Sequence, residues 1–272
     1  MEQRSIAFIG AGNMARSIIA GLVCSGYPAD KITATAPGPA RREPLARDYG
    51  IHTGDDNLLA AEQTEVIVLA VKPQLMEEVC RPLQGIDLTG KLVISIAAGI
   101  SARRLNEMLA TELDLVRVMP NTPSLIGKGM SGMFATTTVS TADKAFAENL
   151  MRAVGEVCWV EQESGINGII AAAGSAPAYF FLFMEAMQAE AIRQGFDPQT
   201  ARLLVQQSAA GAAEMVVANP DTELATLREQ VTSKGGTTAE ALRTFNEHQL
   251  SDTVAKAMRA AISRAEEMEK LF

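Results

Sequence analysis

The chain has 272 residues, of which 47% are apolar and 21% are charged, and its formal net charge is −8. A chain of this size can bury one large core or two smaller ones. The acidic balance argues against a nucleic-acid groove and an anionic membrane surface, because clustered Lys and Arg bind both, and it favours small-molecule partners.

Short apolar or β-branched runs alternate with helix-like segments up to about residue 160. Such alternation predicts a doubly wound α/β domain. Several runs are apolar without alternation, which is typical of parallel strands covered by helices on both faces. We therefore predict a mostly parallel sheet with strands at Ile6–Ile9, Lys31–Thr35, Val66–Val71, Leu92–Ala97, Leu115–Met119, Met130–Ala135 and Glu156–Val160.

The first strand leads into Gly10-Ala11-Gly12-Asn13-Met14-Ala15, and Ser17–Cys24 is predicted as the following helix. This is the G-x-G-x-x-G/A pattern between a strand and a helix. Gly10 permits the turn, Gly12 lets a pyrophosphate approach, and the amides that follow can bind phosphates. A plain structural turn is the alternative. Because the pattern follows the first strand of an α/β series, it favours a Rossmann-type dinucleotide site that includes Asn13 and Met14.

The end of the second strand indicates which dinucleotide is bound. An NAD site usually places Asp or Glu there, but residues 33–39 contain no carboxylate. Arg41 and Arg42 follow, and a guanidinium can pair with a ribose 2′-phosphate. The alternative is that both arginines are solvated charges on the next helix. We expect NADPH, with NADH as the weaker alternative, and we place Thr35 and Pro37 in this site.

Runs typical of strands end after about residue 163, and residues typical of helix starts follow at intervals. We predict two domains, an NADP-binding Rossmann-type domain at 1–162 and an all-helical domain at 163–272. Helix starts are expected at Pro177, Asp197-Pro198, Asp221, Thr237 and Ser251.

The predicted helix from about Ser175 to Gln194 is apolar nearly all round. A domain of this size could bury only part of that surface, which predicts a homodimer through the helical domain, open to assembly into a larger oligomer. The apolar stretch Ile166–Met187 contains Gly174, Pro177 and Glu185, so we expect a helix buried in protein and no membrane span.

The three cysteines, Cys24, Cys80 and Cys158, are far apart and form no metal-ligand spacing. Neither a disulfide framework nor a metal site is predicted, and a reducing cytoplasm fits this pattern. The run Ile6–Ile9 is too short for a signal peptide.

Several motifs are distributed over the whole length of the chain. They are the glycine turn at 10–14, Leu69–Pro73, Ser95–Gly99, Met119–Pro123, Gly174–Tyr179 and Val231–Thr238. In these motifs the chain resembles the pyrroline-5-carboxylate reductase family, which implies NAD(P)H-dependent reduction of 1-pyrroline-5-carboxylate to L-proline, the last step of proline biosynthesis.

The resemblance also implies roles for individual residues. Asn121 and Pro123 are expected near the hydride-transfer site, and the 233–238 loop is expected to hold substrate and to come from the partner subunit. The substrate contacts implied there are Ser233, Gly236, Thr237 and Thr238, and the further cofactor contacts are Asn57, Ala70, Val71, Lys72, Pro73, Ala97 and Gly99.

Reduction of an imine needs a hydride on carbon and a proton on nitrogen, and an imine is basic enough to arrive protonated. No strong acid is then obligatory, which agrees with His52 and His248 lying outside every motif. A glycine-flanked helix start at Thr237 can bind a carboxylate. We expect Thr238 to hydrogen-bond the ring nitrogen while positioning supplies most of the rate. An ordinary loop and helix cap is the alternative.

Two other functions remain open. A β-hydroxyacid or 6-phosphogluconate-type dehydrogenase also joins a dinucleotide domain to a helical one and uses a lysine there, for which Lys234 is the candidate. A non-catalytic NADPH-binding sensor is the other, and retention of the 233–238 loop argues against it.

Overall fold

The computed structural model describes residues 2–271. The chain forms two compact units. One runs to Pro177 and takes in the chain again from Ala261, and the other is Ala178–Ala260. The domain boundary at residues 162 and 163 stays a prediction.

A single sheet organises the first unit, with eight strands within residues 2–271 in the order β3-β2-β1-β4-β5-β6-β7-β8. All neighbouring pairs are parallel except β6 and β7, which are antiparallel. The strands are β1 Ile6–Ile9, β2 Ile32–Thr35, β3 His52–Gly54, β4 Val66–Leu69, β5 Leu92–Ser95, β6 Asp114–Met119, β7 Gly129–Ala135 and β8 Gly155–Trp159.

The predicted mostly parallel sheet is confirmed, and each of the seven predicted strands is present. The edge strand β3 was missed. It has only three residues, it begins at the exposed His52 and it contains no apolar run.

Helices cover both faces of this sheet, as its side-chain alternation requires. On β1, Ile6 and Phe8 belong to one buried cluster, while Ala7 and Ile9 belong to the other. The helices of this unit are α1 Asn13–Cys24, α2 Pro39–Tyr49, α3 Asn57–Glu62, α4 Pro73–Leu83, α5 Ala102–Leu109, α6 Thr141–Arg152 and α7 Gly165–Ile169, with shorter 3-10 turns at Ala29–Lys31 and Thr122–Ile126 and a π-helical turn at Ile170–Gly174.

The second unit is helical. Asp197 caps α9 by accepting hydrogen bonds from the amides of Gln199 and Thr200, as its predicted start requires. The predicted start at Asp221 was three residues early, because α10 begins at Leu224. The remaining helices are α8 Ala176–Arg193, α9 Pro198–Ala218, α10 Leu224–Gln230, α11 Thr237–Glu247 and α12 Leu250–Leu271, of which α8 and α12 extend into the first unit.

The apolar helix was predicted to be buried partly by its own domain and otherwise by a second subunit, and its surface in the single chain is open to such a partner. Within the described residues no part of α8 is buried, and Phe180, Phe181 and Leu182 are 67%, 61% and 67% exposed. The continuous helical stretch Gly165–Arg193 is long and apolar enough to cross a membrane by length and composition, which for one helix is weak evidence. An apolar surface of this kind marks an interaction site.

Candidate active site

The turn between β1 and α1 fits a pyrophosphate. Gly10 has φ +111°, and a Cβ there would lie 2.6 Å from the carbonyl oxygen of Ala70, so only glycine is accommodated. Gly12 differs, since a Cβ there would meet nothing within 4 Å. Gly12 precedes α1 with no side-chain cap, and Asn13 and Met14 form the first turn. Free amides therefore face open space, which is the arrangement that binds phosphate groups.

Residues at the ends of β2 and β3 lie on the same edge of the sheet. Thr35 is buried, and its Oγ1 lies 2.6 Å from Oδ1 of Asn57 in the first turn of α3. Asp56 caps that helix by accepting from the amide of Leu59. A cavity of about 420 Å³ opens beside these residues and is lined by Thr33, Thr35, His52, Thr53, Gly54, Asp55, Asp56, Leu59, Ala60 and Gln63.

The two arginines of α2 have different surroundings. Nη1 of Arg42 donates to the carbonyl of Ala36 at 2.7 Å and to that of Pro37 at 3.4 Å, and it lies 3.3 Å from Oδ2 of Asp55. Arg42 therefore links the loop after β2 to the loop after β3. Arg41 is exposed, and its side chain has no partner within residues 2–271. Its charge is available to an anion at the uncapped start of α2.

The strands β4 and β5 bring the next two predicted segments to this edge. Ala70 and Val71 follow β4 and contact the position of Gly10, and Lys72 precedes α4, which begins at Pro73. Lys72 is exposed, and its side chain makes no capping hydrogen bond to α4.

After β5, Ala97 and Gly99 are buried. Gly99 has φ +73°, and a Cβ there would lie 2.9 Å from Cβ of Met268 in α12. The turn after β5 is therefore packed against a helix from the far end of the chain, which no local pattern predicts.

Asn121 lies two residues after β6, and both polar atoms of its side chain are hydrogen-bonded. Its Oδ1 accepts from the amide of Met130 at 2.9 Å, and its Nδ2 donates to the carbonyl of Ala173 at 3.1 Å. Asn121 is 8% exposed, and Pro123 follows in the 3-10 turn. The side chain thus fixes the backbone around β6, which sequence reasoning missed.

The predicted substrate loop lies in the second unit. Gly236 precedes α11 with no side-chain cap, and a Cβ there would lie 2.3 Å from Oγ of Ser233. Thr237 and Thr238 are exposed in the first turn, and neither hydroxyl has a hydrogen-bond partner in the part of the chain that the structure describes. The free amides and hydroxyls together present donors suited to a carboxylate.

The two groups with the largest pKa shifts, Tyr27 and Cys80, are not among the predicted site residues. Burial raises the pKa of the Cys80 thiol to about 12, and it raises the pKa of Tyr27 to about 12 although the Tyr27 hydroxyl donates to the carbonyl of Arg4. Both groups stay protonated near pH 7, so neither is an ionised nucleophile or base there. His52 is exposed on the edge strand β3, and His248 follows the last residue of α11.

Comparisons with known proteins cover both halves of the chain. A family model described as pyrroline-5-carboxylate reductase dimerisation matches residues 163–268, and one described as NADP oxidoreductase, coenzyme F420-dependent, matches residues 5–99. The pyrroline-5-carboxylate reductase of Vibrio alginolyticus is 73% identical over 272 residues and covers 100% of both chains. That of Escherichia coli (strain K12) is 33% identical over 269 residues, which are 98% of this chain and 99% of the relative.

Two solved structures are similar to this chain over nearly its whole length. The structure of a pyrroline-5-carboxylate reductase from Coxiella burnetii is 41% identical with a TM-score of 0.93, covering 98% of this chain and 99% of that one. The Plasmodium falciparum pyrroline carboxylate reductase with NADP bound is 27% identical with a TM-score of 0.87, covering 99% of each chain.

Proposed function

The chain belongs to the pyrroline-5-carboxylate reductase family, and from that premise we propose how its residues reduce 1-pyrroline-5-carboxylate to L-proline with NADPH. The observation that carries the proposal is a pair of uncapped helix starts. Gly12 precedes α1 and Gly236 precedes α11, each without a side-chain cap. One suits a pyrophosphate and the other suits a substrate carboxylate.

Bound NADPH supplies the hydride, and the chain supplies binding and orientation. The first turn of α1 binds the pyrophosphate, Arg41 binds the 2′-phosphate, and Thr35 and Asn57 border the ribose. The turns after β4 and β5, from Ala70 to Pro73 and at Ala97 and Gly99, position the nicotinamide end. NADH lacks the 2′-phosphate that we assign to Arg41, so it is expected to be the weaker cofactor.

The 233–238 loop holds the substrate. The amides after Gly236 bind its carboxylate, with Ser233 and Thr237 beside it, and Oγ1 of Thr238 accepts a hydrogen bond from the protonated imine nitrogen. Because that nitrogen already carries its proton, the product amine forms without a dedicated acid. Asn121 holds the backbone around Pro123 next to the site.

The family match supports a homo-oligomer. We place its interface on the exposed apolar surface of α8, which makes a homodimer through the helical domain, and we assign the 233–238 loop of one subunit to the cofactor site of its partner. A cytoplasmic location fits the scattered free cysteines.

The test is an assay of NADPH oxidation on adding pyrroline-5-carboxylate, run in parallel with NADH. Oxidation that is faster with NADPH supports the proposal. Binding of NADPH without oxidation favours a sensor, and activity on 3-hydroxyacids that is lost in Lys234→Ala favours the dehydrogenase alternative.

Thr238→Ala tests the assigned role of the threonine. Turnover should fall about tenfold or more while NADPH affinity stays within about twofold, since one hydrogen bond to a charged group is lost. Unchanged turnover would remove Thr238 from the mechanism. Thr244→Ala, a substitution on the same helix outside the loop, is the matched control.

A further inference from the structure

A buried arginine in the first unit joins segments that are far apart in sequence. Arg117 lies on β6 and is 2% exposed. Its Nη1 donates to Oε1 of Glu163 at 2.5 Å and lies 3.5 Å from Oε1 of Glu269 in α12. A buried guanidinium requires such carboxylates, because removing a partner leaves an uncompensated charge.

The Glu163 carboxylate also holds the start of α5. Its Oε1 accepts from the amide of Ala102, the first residue of that helix, at 2.6 Å. The Oγ of Ser101 accepts from the amide of Arg104 at 3.2 Å. Two of the free amides at the start of α5 are thereby satisfied, and the negative charge of Glu163 lies at the positive end of the helix.

The turn between β5 and α5 is therefore held at both ends. Met268 packs against Gly99 from one side, and Glu163 binds the amide of Ala102 on the other. This turn contains Ala97 and Gly99, the residues assigned above to the cofactor. Met268 and Glu163, which hold the turn, and Arg117, which pairs with Glu163, are not among the proposed cofactor contacts.

We propose that Glu163 is a positioning residue for NADPH, acting through its hydrogen bond to the Ala102 amide and its ion pair with Arg117. The inference rests on the proposed cofactor site. Glu163 fixes the place of the β5–α5 turn against the sheet, and Arg117 fixes Glu163.

The test compares Glu163→Ala, Glu163→Gln and Glu161→Ala by NADPH binding, measured from cofactor fluorescence without substrate. Glu161 is exposed, makes no ion pair or hydrogen bond within residues 2–271, and lies two residues away, so it is the matched control. Glu163→Ala should raise the Kd for NADPH at least about fivefold, since it removes a hydrogen bond to a charged acceptor. Glu163→Gln keeps an oxygen that accepts from the Ala102 amide but loses the charge that pairs with Arg117, so its Kd for NADPH should lie between those of the wild type and Glu163→Ala. Glu161→Ala should match the wild type.

At saturating NADPH, kcat of the folded Glu163→Ala variant should stay within about twofold of the wild type, so that the loss appears in KM for the cofactor. Melting curves establish that each variant is folded at the assay temperature. An unchanged Kd in folded Glu163→Ala would overturn the proposal, as would an equal loss in Glu163→Ala and Glu163→Gln. A failure of the proposed function would look different, because the wild type would then bind NADPH without oxidising it.

Discussion

The two glycines of the β1–α1 turn should fail in opposite ways when each is replaced by alanine. In Gly10→Ala the new Cβ would lie 2.6 Å from the carbonyl oxygen of Ala70 and 2.9 Å from Cγ1 of Val71, at φ +111°. In Gly12→Ala it would meet no atom within 4 Å, at φ −78°. The first substitution damages the fold, and the second obstructs only the space in which we place the pyrophosphate.

The expected losses of stability and of NADPH affinity differ between the two variants. For Gly10→Ala, backbone strain of about 1–2 kcal/mol and overpacking of about 1–3 kcal/mol sum to roughly 3 kcal/mol of lost stability. For Gly12→Ala, the loss of glycine before a helix costs about 0.5 kcal/mol, and the stiffer unfolded chain returns a similar amount. Its cost instead falls on binding, where losing one charge-assisted hydrogen bond to the pyrophosphate raises Kd about tenfold or more.

Thermal melting without cofactor and NADPH binding by fluorescence measure the two effects, at one protein concentration because the chain is an oligomer. Gly10→Ala should lower Tm by roughly 10 °C, and Gly12→Ala should leave Tm within about 2 °C while weakening NADPH binding. If Gly12→Ala binds NADPH as tightly as the wild type, the pyrophosphate does not occupy the open space beside Gly12. A Tm loss equal to that of Gly10→Ala would refute the structural distinction.

Three further substitutions test other parts of the molecule. Arg41→Ala should raise KM for NADPH about tenfold and leave KM for NADH unchanged, because only NADPH has a 2′-phosphate to lose; equal changes would contradict the role of Arg41. The amide of Ser5 donates to Glu65 and lowers the pKa of this carboxyl, so its stabilisation is present above the ordinary value of about 4.3 and is lost as pH falls below it. The Tm difference between wild type and Glu65→Gln should accordingly shrink from pH 7 to pH 3, and a constant difference would refute this. Phe181→Asp should yield a monomer by sedimentation that binds NADPH but turns over no substrate, whereas an unchanged mass would place the interface elsewhere.

Much of the sheet follows from local sequence. Buried parallel strands need continuous apolar runs, and Val66–Leu69 shows one at the place where β4 lies between β1 and β5. The glycine turn could also be predicted, because a strand, a turn and a helix within about 20 residues are all encoded locally. The edge strand β3 could not, since its three residues gain pairing from β2 alone and need no apolar pattern.

The supporting contacts of the site could not be predicted for a different reason. Arg117 meets Glu163 and Glu269 across separations of 46 and 152 residues, which leave no periodic signal. The engagement of Asn121 with Met130 and Ala173 is of the same kind. A single sequence marks which residue types are present, whereas their pairing is decided by the tertiary fold.

The return of α12 to the first unit has a consequence for the order of events during synthesis. The ribosome delivers the chain from its N-terminus, so β6 is complete long before Glu269 is made. Until then Arg117 lacks one of its two carboxylates and Gly99 lacks the side chain of Met268. The nucleotide-binding unit therefore reaches its final packing only after the intervening helical unit has left the ribosome. The first unit therefore depends on the last helix of the chain to complete its packing, although each unit has its own set of internal contacts.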